Sequence, residues 1–94
     1  MRYAAKVDAN QSEIVRALRQ VGAAVQSLAA VGGGFPDLLV FFRSRLYLLE
    51  VKNLQGRGKR LTPQQEDWRR LFDGASTVVC DSREALEAIG ARIR

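Results

Sequence analysis

The stretch Phe35–Asn53, FPDLLVFFRSRLYLLEVKN, decides how the chain is read. It opens with Pro36-Asp37 and closes with Glu50-Val51-Lys52, and the twelve positions between the two acids are mostly apolar or β-forming. Only Arg43-Ser44-Arg45 interrupts them. Apolar runs of this length, bounded by a Gly/Pro cluster and split by a polar turn, predict two short strands in a hairpin. Each carboxylate then sits at the end of its strand far from the turn. Side chains alternate along a strand, so the loop length decides which residues share a face. A two-residue turn at Arg43-Ser44 sets Asp37 opposite Glu50, with Lys52 following on that face. A two-residue turn at Ser44-Arg45 keeps the same facing set but puts Asp37 opposite Lys52. A three-residue loop sends Asp37 to the other side.

An isolated D…E-x-K pattern is short and common, and its plain reading is a strand start plus a weak exposed ion pair. Here Glu50 and Lys52 follow Leu46-Tyr47-Leu48-Leu49, which reads as an interior strand. Charged groups at the end of such a strand are costly unless paired or bound to a metal. Two carboxylates suit a hard ion such as Mg²⁺, which takes one or two of them and keeps the rest of its shell for water and phosphate oxygens. A lysine beside that ion can orient a water nucleophile or offset charge growing on phosphorus.

Pro36-Asp37, the gap that follows and Glu50-Val51-Lys52 resemble the PD-(D/E)XK nuclease signature. Glu13 on a first helix, Gly34-Phe35-Pro36-Asp37, and Leu61-Thr62-Pro63 with Gln65 and Trp68 widen the match. Over roughly residues 10–81 the chain is similar to the VRR-NUC family in its short, stand-alone form. The resemblance implies a restriction-endonuclease-like α/β core in a single domain, 1–94. It implies Mg²⁺ or Mn²⁺ held by Asp37, Glu50 and the Val51 carbonyl, with Glu13 reaching the ion directly or through water. Lys52 would position the attacking water, and Gln65 would orient Lys52 or that water. Very short members of the family resemble dimeric nucleases acting on four-way junctions, so the expected activity is junction resolution by a homodimer. A less selective nicking or flap endonuclease is the alternative within the enzymes. A catalytically silent DNA-binding module of the same fold is the alternative outside them.

The whole composition is compatible with this. Ninety-four residues make one small domain with a modest core. Fifteen Lys/Arg against ten Asp/Glu give a net charge of +5, which points to a polyanionic partner. One cysteine excludes an intramolecular disulfide and fits a reducing compartment. With no histidine, Ser-His-Asp and Cys-His sites and His-bearing zinc sites are excluded, leaving carboxylates, lysine and water. No stretch has the length of a membrane span and no apolar signal region follows Met1-Arg2-Tyr3, so a cytoplasmic location is expected.

In chain order, Asn10 or Ser12 reads as the cap of a first helix running to about Val21, with Ile14, Val15, Leu18 and Val21 inward. Arg16, Arg19 and Gln20 take its outer side, and Glu13 lies on the flank, where capping and dipole duty alone would explain it. Val25–Val31 reads as a first strand. Gly32-Gly33-Gly34 lacks the lysine of a phosphate loop and reads as a turn that lets backbone approach the site, Gly34 being a candidate DNA contact. Arg57, Lys59 and Arg60 form a basic loop that either grips a DNA backbone or is plain solvated charge. Thr62 caps a second helix begun by Pro63, with Trp68, Leu71 and Phe72 as its buried stripe. Gln65 lies beside that stripe, where a structural hydrogen bond would also account for it. Arg69 and Arg70 point outward as candidate phosphate contacts. Thr77–Cys80 reads as a buried strand, and Asp81 or Ser82 caps a last helix with Leu86, Ile89 and Ile93 on one face. The expected order is therefore α-β-β-β-α-β-α, a mixed sheet flanked by helices. The apolar face of the first or last helix is the expected dimer surface unless both cover the sheet.

Overall fold

The computed structural model describes residues 4–53 and 61–91. The elements run α1 (Ala4–Gln20), β1 (Ala24–Ser27), β2 (Leu38–Phe42), β3 (Arg45–Val51), α2 (Pro63–Leu71), β4 (Ser76–Val79) and α3 (Ser82–Ala88). This is the expected order. The strands form one sheet in the order β1-β2-β3-β4; β1, β2 and β3 pair antiparallel, and β4 joins β3 parallel. A parallel neighbour requires a crossover, which α2 supplies.

The hairpin turns at Arg43-Ser44, with Phe42 paired to Arg45 and Leu38 to Leu49. Both turn residues have positive φ, 51° and 67°. Such a turn matches the right-handed twist of the flanking strands and normally recruits Gly or Asn. Here it is formed by Arg and Ser, and the Arg43 guanidinium lies 4.9 Å from the centre of the Phe42 ring. The two-residue turn continues the register so that Asp37 stands opposite Glu50.

Alternation along β2 and β3 sends Leu38, Val40, Phe42, Leu49 and Val51 to one side, where they bury with Ile14 and Leu18 of α1, Ala85 of α3 and Ile89 at the end of that helix. The apolar faces of both helices are therefore buried against the sheet and are not free to form a dimer surface. Leu48, Glu50 and Ser76 alternate the other way. Gln65 and Arg69 of α2 reach Glu50 and Ser76, so α2 covers that face.

Several expected boundaries move. The first helix begins at Ala4, so Asn10 is an interior position and not a cap. Its side chain instead donates to the Lys52 carbonyl at 3.4 Å. The first strand stops at Ser27; the Leu28 N–H still donates to the Asp37 carbonyl (2.8 Å), after which the chain turns away through Gly32 and Gly33. The second helix ends at Leu71 after burying only Trp68, and Leu71 (81% exposed) and Phe72 (49%) face outward. Phe72 nevertheless stacks on the Trp68 ring, with centroids 4.6 Å apart. The last helix ends at Ala88, with Ile89 as its C-cap and Gly90 at φ 76°; Ile93, expected on its apolar face, lies outside the described residues. Cys80 is buried one residue past β4.

Candidate active site at the open end of the hairpin

Asp37 enters the site from the residue before β2, fixed by Pro36 on one side and by the β1 ladder through its own carbonyl. Its Oδ2 accepts the Val51 N–H at 2.8 Å, which ties the start of one strand to the end of the next. Glu50, two residues before Lys52, is 3% exposed and is the only buried charged side chain among the described residues. Its Oε2 accepts the Gln65 side-chain amide at 2.5 Å and lies 3.6 Å from the Lys52 ammonium. Lys52 is itself clamped through its backbone: its N–H donates to the Val79 carbonyl at 2.9 Å and its carbonyl accepts from Asn10.

Burial, and then the negative charge of Asp37, push the Glu50 carboxyl up from its ordinary 4.5 to about 7; Lys52 opposes the shift. Two crowded carboxylates, one of them this reluctant to ionise, are a donor set short of positive charge. Among the described residues no three Asp, Glu, Cys or His side chains converge. A hard dication needs only one or two protein carboxylates, so the pair fits such an ion.

Gln65 serves twice. Its backbone N–H donates to Thr62 Oγ1 and its Oε1 accepts the Thr62 N–H, closing a capping box, while its amide nitrogen is left for Glu50. One residue thus starts the helix and tethers it to the acid. Gly34 packs against the first turn of the same helix. A Cβ there would collide with the Gln64 backbone carbonyl, and the backbone sits at φ +83°. Helix packing accounts for this glycine without a phosphate contact. Gly34→Ala should cost about 1–3 kcal/mol from the strained backbone, more as α2 shifts, and should lower any activity that depends on Gln65. Thermal melts of the variant and the parent check this.

The structure gathers Asp37, Glu50, Val51, Lys52 and Gln65. It does not gather Glu13, whose side chain is exposed and whose backbone carbonyl accepts the Ser82 hydroxyl at 3.4 Å, on the flank where α1 meets α3. Arg69 is not a free outward cation: its guanidinium donates to the Ser76 carbonyl and hydroxyl at 3.2 and 2.9 Å. Arg70 is exposed and pairs with Asp67 at 2.8 Å. Arg57, Lys59 and Arg60 lie outside the described residues. The sequence connects α1 with the site only through Glu13; a different face of that helix meets it, where Gln11, Ser12, Arg16 and Arg19 share with Asp37 a cavity of about 1000 Å³. Their spacing puts them on one helix face, but nothing in the sequence says that this face looks onto Asp37.

No family model matches the sequence, and no curated protein matches it. A solved structure described as a VRR_NUC domain does match in shape. It aligns over 89% of this chain and 94% of its own length, with a TM-score of 0.61 and 26% sequence identity. Among the described residues no helix is long and apolar enough to cross a membrane. The fold is thus similar to that of a VRR_NUC domain, a nuclease-type fold, and here the acid–acid–lysine cluster lies at the open end of the hairpin.

Proposed function

We propose that this chain is a divalent-metal-dependent DNA endonuclease that cuts branched DNA, four-way junctions above all, as a homodimer. The observation that carries the reading is the convergence of Asp37, Glu50 and Lys52 on one hairpin end, with Gln65 locking the glutamate. Asp37, Glu50 and the Val51 carbonyl would hold Mg²⁺ or Mn²⁺. Such an ion supplies Lewis-acid charge and a more acidic bound water.

The chain's own groups do the rest. Lys52 lies beside the acids with a side chain that still reaches solvent (17% exposed), so its ammonium can hold a water and offset charge on the phosphate oxygens. The water oxygen bonds to phosphorus, one ester P–O bond breaks, and the products are a phosphate monoester and a free hydroxyl. The net charge of +5 favours a polyanionic substrate. A junction resolver needs two matched cuts, which a two-fold dimer provides. With the apolar helix faces buried, the exposed Phe41 and Leu46 of the hairpin are available surface for such a pairing.

The test is cleavage of a labelled four-way junction, a matched linear duplex and a supercoiled plasmid in Mg²⁺, in Mn²⁺ and in chelator. Paired symmetric cuts confined to the junction and abolished by chelator are expected. Nicking of every substrate alike would indicate a less selective endonuclease. Salt-sensitive binding with no cleavage in either metal would refute the enzymatic reading and leave a DNA-binding module.

A further inference from the structure

The cavity beside Asp37 has a use that the metal site does not give it. Its wall on α1 carries Arg16 and Arg19, three residues apart and both exposed, together with Gln11 and Ser12; Ser27 faces them from the end of β1. Among the described residues neither arginine is held in an ion pair, although Glu13 sits three residues before Arg16. Arg19 uses one guanidinium nitrogen on the Val25 carbonyl at 3.1 Å, which fixes its direction and leaves its remaining donors for a ligand. Among the described residues, two cations and several hydroxyl and amide groups line the cavity with Asp37 as the one acid, which makes a site for an anion with repeating charge. At about 1000 Å³ it stands at the upper end of ligand-sized pockets, roughly 300–1000 Å³. That is room for a short run of one strand's sugar–phosphate backbone.

We infer that this groove binds the sugar–phosphate backbone of a single DNA strand, with Arg16 and Arg19 as phosphate contacts, and leads that strand to Asp37. The inference rests on the nuclease reading only for what happens at Asp37; the binding itself is independent of catalysis. Arginine forks suit phosphate oxygens, and such contacts position a strand without reading its sequence.

Fluorescence anisotropy of an end-labelled duplex with a single-stranded tail, measured in chelator over a range of salt, tests it. Arg16→Gln should weaken binding about tenfold, the scale of one hydrogen bond to a charged group, and make the log K versus log salt slope shallower by about one. Arg16→Lys should keep the slope. Ser12→Lys, which adds a cation to the same wall, should tighten binding and steepen the slope by about one, a gain that no loss of folding can imitate. Unchanged affinity and slope in Arg16→Gln and Ser12→Lys overturn the groove. Failure of the nuclease reading looks different: parent and Asp37→Ala both leave DNA intact in Mg²⁺ and Mn²⁺ while the slope changes persist.

Discussion

Lys52→Ala is expected to keep the fold and slow phosphodiester hydrolysis by roughly 10²-fold or more, the scale of one preorganised electrostatic donor. The ammonium is not held by its own side chain alone. The Lys52 N–H on Val79 and the Asn10 amide on the Lys52 carbonyl fix the backbone, so the side chain leaves the sheet in one direction, 3.6 Å from Glu50. Truncation removes a cation from a buried acid, which in many proteins would strand an unpaired charge. Here Glu50 already ionises only near about 7 and is raised further without Lys52, so it takes up a proton and stays neutral in the fold. The loss should therefore appear in the single-turnover rate, with a small change in DNA affinity, because one cation among many contributes little to binding. Lys52→Arg keeps the charge but moves it, and should recover only part of the rate. Equal rates for Lys52→Ala and the parent in Mg²⁺ would remove lysine from the mechanism.

Much of this site was legible because it is local. An even turn was enough to bring Asp37, Glu50 and Lys52 to one face, and the pairing of Phe42 with Arg45 supplies it. Thr62-Pro63 announces a helix start, and Thr62 caps it as expected; the capping box that Gln65 closes with Thr62 was not foreseen. The second use of Gln65, as a donor to Glu50, became a specific contact only once α2 was laid across the sheet. What could not be read depends on how elements pack. Glu13 and Arg16 are three residues apart on one helix, yet one lies towards α3 and the other lines the cavity at Asp37. The helical period predicts a polar side and does not say which neighbour it meets. Leu71 and Phe72 follow the spacing of a buried stripe, but α2 ends at Leu71 and only Trp68 reaches the interior, against the edge of Phe35 at 5.2 Å. Periodicity also gave no warning that α1 starts at Ala4, since the segment before Asn10 has no apolar stripe to mark it.

Glu50→Gln is expected to be more stable than the parent above neutral pH in chelator, although it removes the central acid. In the unfolded chain Glu50 ionises around 4.5, and in the folded protein only near about 7. Between those values the folded state binds more protons than the unfolded one, so the stability from a neutral Glu50 is complete below about 4.5 and is lost as pH rises through about 7. The gap corresponds to at most about 3 kcal/mol, less to the extent that water screens the carboxylate. In a domain of this size, at about 4–8 °C per kcal/mol, that moves the melting temperature by as much as roughly 12–24 °C. The amide of the variant would keep an oxygen to accept the Gln65 side chain while carrying no charge beside Asp37. Melting curves of the two proteins in chelator should thus nearly coincide at pH 5 and separate by pH 8, the parent falling. Adding Mg²⁺ or Mn²⁺ at pH 8 should raise the parent and leave Glu50→Gln almost unmoved, because the dication replaces the proton as the partner of the buried acid. Parallel curves from pH 5 to 8 would show that Glu50 is not strained by burial and by Asp37. A metal-induced rise of equal size in both proteins would put the ion somewhere other than this pair of acids.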